Sequence, residues 1–360
     1  MDRVLSLRFN SALILVCFLL VPVIANAERV DPYLVTVEVS DRSAAARRPA
    51  LRRALSEVLV GLSGQASLVR ALKSRSGLPF RDQWVQQFRY LDAPEAEGNP
   101  PRLLLEARFN SEMVSELADQ LGLPKWPLER GVTLMWVALD SGVHRELLGA
   151  VAEHQEISEA ALVVAANRKL PLLMPLLDLD DLRLVNFSDV WGGFADQVSL
   201  ASARYAAQYL LLGRVYRTRD GWGGQWQVRD GQWVDRWALE GSDEKAVIAA
   251  AIEHVAEWLG QRYSVLASTE IDQVLVMRLE GVGDIGDYAR VLRYLGGLSV
   301  IEAVAPLRVT PEILEVSIES TAGVEAIRQA LAIEQVLAKV EVGWQTRTTE
   351  IAFLHYRLNP

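Results

Sequence analysis

The feature that most constrains this chain is a two-residue reversal, Asp230-Gly231, where two segments of alternating polarity meet. An Asp-Gly pair in that setting predicts a β-hairpin, because both turn positions accept the positive φ that a tight reversal requires. Tyr209 to Val215 is an apolar run bounded by a helix end and by charge, so residues 201–240 predict a helix feeding a three-stranded meander. With the turn at Asp230-Gly231, Val228 opposes Trp233, and Trp222, Trp226, Trp233 and Trp237 project to one face. A shared apolar face is what a core needs. The expectation is burial under a helix from Asp243 to Tyr263, whose Val247, Ala251, Val255, Trp258 and Leu259 follow one side. The rival is an exposed aromatic platform for glycans or peptides. Asp235 falls on the same face and should sit at an edge or find a partner.

At 360 residues the chain exceeds one ordinary domain, since about 150 residues per domain suggests two or three. Half of it is hydrophobic, enough for several cores, and its net charge of −9 provides no global basic field to gather phosphates. Nucleic acid is therefore not an expected partner. Arg3 and Arg8 precede an apolar run from Ala12 to Ile24 and the small-residue site Ala25-Asn26-Ala27, which predicts a secretory signal peptide cleaved after Ala27 and a periplasmic location. The run is shorter than the roughly 20 residues that span a bilayer. Cys17, the single cysteine, lies inside it after Val16, where a lipoprotein would need a small residue. The mature chain is thus expected to hold no cysteine, and neither disulfides nor Cys-ligated metals.

The predicted fold class is α+β, in three small α/β-sandwich domains. The first, residues 28–125, has a strand at Tyr33 to Val39 and a long helix capped by Asp41 or Ser43 and closed by Gly61 and Gly64. After a mixed connecting segment come strands at Trp84 to Leu91 and Leu103 to Phe109, separated by a turn-forming stretch from Pro94 to Pro101, and a helix capped by Asn110 or Ser111. The second, residues 128–265, opens with the doubly buried strand Val132 to Leu139. A helix around Ser158 to Arg168 and a second buried strand, Leu170 to Leu177, imply a parallel β-α-β crossover ahead of the meander. The third, residues 270–360, reads β-α-β-β-α-β, the ferredoxin-like order, with an extra strand from Ile351 to Leu358 that extends the sheet or returns to a neighbouring domain.

Ala206-Ala-Gln-Tyr-Leu-Leu-Leu-Gly213, entering a meander and a closing helix, resembles the amino-terminal domain of TolB and the periplasmic domain of the curli secretion protein CsgG. That likeness covers residues 130–265. The whole chain also resembles an exported Gram-negative family of unknown function, through Ser43-Ala-Ala-Ala-Arg47, Leu170-Pro-Leu-Leu-Met-Pro-Leu-Leu-Asp-Leu179, Asp189-Val-Trp-Gly-Gly-Phe194 and Gly213-Arg214. The resemblance implies location and architecture, and no activity. Pro49 departs from the family pattern and raises a kink or a later start of the first helix.

Chemistry-bearing motifs reduce to structural roles. Gly281-Val-Gly-Asp-Ile-Gly286 matches a dinucleotide fingerprint in form, with Glu302 about twenty residues on. The pairing around it reads as antiparallel, so a helix capped by Asp284 with Asp287 in the box position is expected instead. Asp178, Asp180 and Asp181 lack the glycine and glutamate of a calcium loop, and a solvated turn explains them. His144, His154, His254 and His355 have no metal-ligand spacing. Ser63 lacks a nucleophile elbow and reads as a helix end. Arg42, Arg47, Arg48, Arg52 and Arg53 read as a solvated helix face, with contact to anionic lipid or glycan as the less favoured alternative.

The function expected is therefore non-enzymatic: a binding or scaffolding factor for envelope proteins, with no cofactor and no metal. Candidate binding residues are Asp189, Trp191 and Phe194 of one loop, with Gln225, Gln227 and Arg236 on the hairpin face opposite the tryptophans, near Val234. The alternative is an envelope hydrolase or glycan-processing enzyme using carboxylates such as Asp189 and Glu106 as acid and base.

Overall fold

The computed structural model describes residues 28–93, 102–231, 233–265, 275–310, 313–320, 323–334, 336–340 and 353–359. Residues 1–27, where the sequence predicts a signal peptide and which include Cys17, and the stretch from Pro94 to Pro101 lie outside them. The described chain is mixed α+β, with several sheets and ten α-helices.

Strand β1 (Glu28–Arg29) precedes β2 (Leu34–Val39), whose alternate residues Val35, Val37 and Val39 are buried. Helix α1 (Ala44–Ser63) starts where Ser43 Oγ accepts from the Ala46 amide at 3.1 Å and runs on through Pro49, so the proline delays nothing. It stops at Gly64, which takes the left-handed φ of 68° that glycine adopts without cost. Ser63 is a helix end, its Oγ donating to the Leu59 carbonyl at 2.8 Å. The mixed connecting segment is in fact helix α2 (Ala66–Ser76). Its cap is remote: the Ala66 amide donates to Glu257 at 2.7 Å, so no capping residue had to stand nearby in sequence. Strands β3 (Val85–Asp92) and β4 (Leu103–Phe109) complete an antiparallel sheet in the order β2-β4-β3, and Asn110 caps α3 (Ser111–Gln120).

Strand β5 (Glu129–Arg130) pairs back with β1. Next come β6 (Thr133–Asp140), buried along nearly its whole length, β7 (Arg145–Leu148) and α4 (Gln155–Asn167). Of the strand expected over Leu170 to Leu177, only β8 (Leu172–Leu173) pairs, parallel to β6. Pro171 and Pro175 carry no N–H to donate, and Leu177 turns to positive φ. Three short helices follow, α5 (Leu179–Leu184), α6 (Phe187–Trp191) and α7 (Ala195–Ser202), and then β9 (Tyr209–Arg217), β10 (Trp222–Asp230), β11 (Trp233–Gly241) and α8 (Glu244–Tyr263), which Asp243 caps. The sheet runs β11-β10-β9-β6, with β7 and β8 sharing the outer edge of β6. One face packs on α4 and α8, and the other on α6 and α7.

Asp230 pairs with Trp233 and Val228 with Asp235, so the reversal falls one position later than Asp230-Gly231. Each strand's odd–even facing survives that shift. Trp222 and Trp226 are buried under α8 and Trp237 is partly covered there, but Trp233, at the hairpin tip, is 60% exposed. Burial therefore holds fully for two of the four and partly for Trp237. Asp235 finds a partner on α8, His254 Nε2 at 2.9 Å.

The remaining elements are β12 (Leu275–Glu280), α9 (Ile285–Gly297), β13 (Ala303–Val309), β14 (Ile313–Glu319), α10 (Gly323–Glu334), β15 (Leu337–Lys339) and β16 (Phe353–Leu358). Their sheet runs β13-β14-β12-β16-β15. A ferredoxin-like unit sets its first and fourth strands side by side. Here β16 lies between them, parallel to β12 and antiparallel to β15, so the extra strand enters the sheet rather than extending its edge. Leu354, Tyr356 and Leu358 are buried with the core beneath.

Candidate functional site

On the face of the meander turned away from α8, parity places Arg214 and Tyr216 of β9, Gln225 and Gln227 of β10, and Arg236 of β11. The register sets Arg214 opposite Gln225 and Arg236 opposite Gln227. Helix α6 packs beside β9, and its last residue, Trp191, stacks on Phe187 at 5.3 Å and meets Tyr216 edge-on at 6.1 Å. The chain then turns at Gly193, where φ is 70°. Between this corner and the strands lies a recess of about 260 Å³, lined by Trp191, Gly193, Arg214, Gln225, Gln227 and Arg236. A second concavity of about 670 Å³ shares Trp191, Arg214 and Gln225 and adds Arg145, Tyr216 and Arg217.

The smaller recess is lined by arginines and no carboxylate, while Asp140 also lines the larger concavity. Arg145 is paired with Asp140 at 2.7 Å. Asp140 is held below the usual carboxylate range, chiefly by the Gly142 amide and then by Arg145. Among the described residues Arg214, Arg217 and Arg236 have no carboxylate partner. Arg214 instead donates to Gln225 Oε1 and, at 3.4 Å, to the Trp191 carbonyl, while Arg236 Nε donates to Gln227 Oε1 at 2.8 Å. Gln227, only 8% exposed, is held by the sheet. The site is a set of fixed guanidiniums beside aromatic walls, suited to binding an anion.

Of the expected site residues, Trp191, Gln225, Gln227 and Arg236 come together in this recess, and Asp189 and Phe194 stay outside its lining. Asp189 closes a capping box, its Oδ2 accepting from the Asn186 amide at 2.9 Å while Asn186 Oδ1 accepts from Asp189. Phe194 is exposed and opens α7. Arg214 and Tyr216 were missed as site residues. Their signal was parity: once β9 pairs with β10, they share the face of the two glutamines.

Other candidates resolve into packing. Glu106 pairs with Arg89 at 2.6 Å on the sheet of β2 to β4. Asp178 caps α5 and pairs with Arg204. Asp181 is fully buried rather than solvated, accepting from the Leu177 amide at 2.9 Å and from Tyr205 Oη at 2.5 Å, and burial with this carboxylate pushes Tyr205 up to about 12. Among the described residues no group of three or more His, Cys, Asp or Glu is arranged to hold a metal. Asp284 caps α9 by accepting from the Asp287 amide, and β12 and β14 beside that loop are antiparallel. Arg42 and Arg48 pair with Asp92 and Asp82, Arg53 donates to the Glu38 carbonyl, and Arg47 lies 4.8 Å over the Phe88 ring.

Residues 27–127 match the family model of a domain of unknown function, DUF8605. No curated protein and no solved structure matches the chain. The DUF8605 segment ends before the recess and joins the next sheet through two buried arginines. Arg130, fully buried, lies 3.8 Å over the Trp126 ring and donates to the carbonyls of Gly61 at 2.6 Å, Lys169 at 2.8 Å and Pro127 at 3.1 Å. Desolvation, then the charge of Arg168, brings it down to about 9. Arg168 donates to the Gly64 carbonyl at 2.8 Å and reaches Glu253 and Glu257 on α8. A Cβ on Gly260 of α8 would stand 2.6 Å from the Gly64 carbonyl, so the DUF8605 helix α1 meets α8 backbone to backbone.

Proposed function

We propose that this protein is an exported, non-enzymatic factor that binds or scaffolds other proteins of the periplasm and cell envelope, and that the recess beside Trp191 is its contact surface. The carrying observation is the convergence of Trp191, Gln225, Gln227 and Arg236 with Arg214 on one concave face. Export is supported by the amino-terminal sequence pattern. Among the described residues no helix is long and apolar enough to cross a membrane. A partition into three domains fits the apolar clusters, two of which lie on opposite faces of the central sheet, with the central domain TolB- and CsgG-like in its crossover and meander and the last a ferredoxin-like unit enlarged by β16.

Nucleic acid is not a favoured partner for a chain of charge −9. Contact of Arg42 and the α1 arginines with a membrane surface is not favoured either, since most of them are engaged by their own fold. The carboxylate-enzyme reading has less support, because Asp189 serves a helix cap and Glu106 an ion pair on another sheet.

A photocrosslinking residue at Gln225 in living cells tests the proposal, with one at Arg75, exposed on α2, as control. An envelope protein captured at Gln225 and absent at Arg75 is expected. No capture at Gln225, or the same capture at both positions, removes the proposal. Recovery by osmotic shock of a chain beginning at Glu28 is the outcome expected for export.

A further inference from the structure

We propose that the recess recognises acidic peptide segments, taking carboxylates of an extended partner on Arg214 and Arg236; this deepens the reading of the recess as the contact surface and rests on it. The argument begins with how the two guanidiniums are held. Each is oriented by the amide oxygen of a glutamine directly opposite it in the register, Gln225 for Arg214 and Gln227 for Arg236. A neutral oxygen fixes the fork without cancelling its charge. Arginine has five N–H donors, and only two from Arg214 and one from Arg236 are committed to these contacts and the Trp191 carbonyl, which leaves donors for a carboxylate in bidentate geometry.

Spacing points to a ligand with more than one charge. Arg214 and Arg236 stand on the strands flanking β10, offset by two residues, which places their Cα atoms about 12 Å apart by standard ladder spacings. An extended peptide rises about 3.3 Å per residue with side chains alternating between faces, so acidic side chains four positions apart point the same way and span about that distance. Trp191 and Tyr216 wall the path, and Arg145 and Arg217 continue it into the larger concavity. A peptide can follow such a channel, and a flat bilayer surface cannot enter it.

The test is fluorescence anisotropy of labelled hexaglutamate with the purified chain, alongside labelled hexaglutamine, inorganic phosphate as competitor and vesicles of phosphatidylglycerol. Hexaglutamate is expected to bind more tightly than hexaglutamine and to weaken as salt rises. Arg214→Gln and Arg236→Gln are each expected to weaken it about tenfold, the scale of one lost charge-assisted contact. Gln225→Glu, which supplies Arg214 with an internal carboxylate, is expected to do the same while thermal unfolding shows that the fold is kept. Hexaglutamate binding no tighter than hexaglutamine, or equally tight in all three variants, overturns the proposal. So does binding of the vesicles, or displacement by millimolar phosphate, that is lost in the same variants. If crosslinking at Gln225 still captures a protein while hexaglutamate does not bind, the contact surface stands and only its acidic specificity falls.

Discussion

Gln225 and Gln227 orient arginines as a carboxylate would, without the negative charge, and the contrast with Asp178 shows what that difference does. Asp178 is brought from its ordinary 3.8 to about 2, first by its hydrogen bonds from Arg204 and then by the Asp181 amide. Its folded value lies below its unfolded one, so its contribution to stability is present above about pH 4 and is lost as the pH falls towards 2. Asp178→Asn keeps a capping side chain and loses the charge, and a shallower fall of stability over that window is expected in urea unfolding series. Arg130 is the opposite case, a buried cation satisfied by carbonyl oxygens alone. Arg130→Ala strands those buried acceptors and is expected to cost about 3 kcal/mol in chemical unfolding.

At the scale of elements, the hairpin separates residues that look alike in sequence. Trp226 is 3% exposed and its ring fills the space that a Cβ on Gly213 would occupy, whereas Trp233 lies mostly in solvent with Arg262 at 4.3 Å. Trp226→Ala is expected to cost about 3–5 kcal/mol, and Trp233→Ala to stay within about 0.5 kcal/mol, both read from denaturation midpoints. Gly260→Ala forces a methyl group against the Gly64 backbone and is expected to destabilise by about 1–3 kcal/mol. Local rules made α1, α3, α8, α9 and the meander legible, because Ser43, Asn110, Asp243, Asp284 and the alternating strands act over a few residues. They did not reveal α2, whose cap comes from Glu257, or the shortness of β8, where two prolines interrupt an apolar run. Half of the recess was legible as a face of the hairpin. Arg214 became visible only through the pairing of β9 with β10.

For the whole molecule, the placement of β16 matters most. It pairs with β12 on one side and β15 on the other, so removing residues 353–358 would split the sheet rather than trim it. A chain truncated before Phe353 is expected to lose protection from protease across residues 275–340 while residues 28–265 stay resistant, as mass spectrometry of limited digests would show. The order of synthesis gives that arrangement a further consequence. Every other described strand leaves the ribosome before β16, so β13, β14 and β12 must wait beside an unfilled place while the sheets nearer the amino terminus are already complete. Pairing across so long a stretch of chain is also intrinsically slow. The third sheet thus carries a built-in delay, because its central place stays empty until the last described strand of the chain has been made.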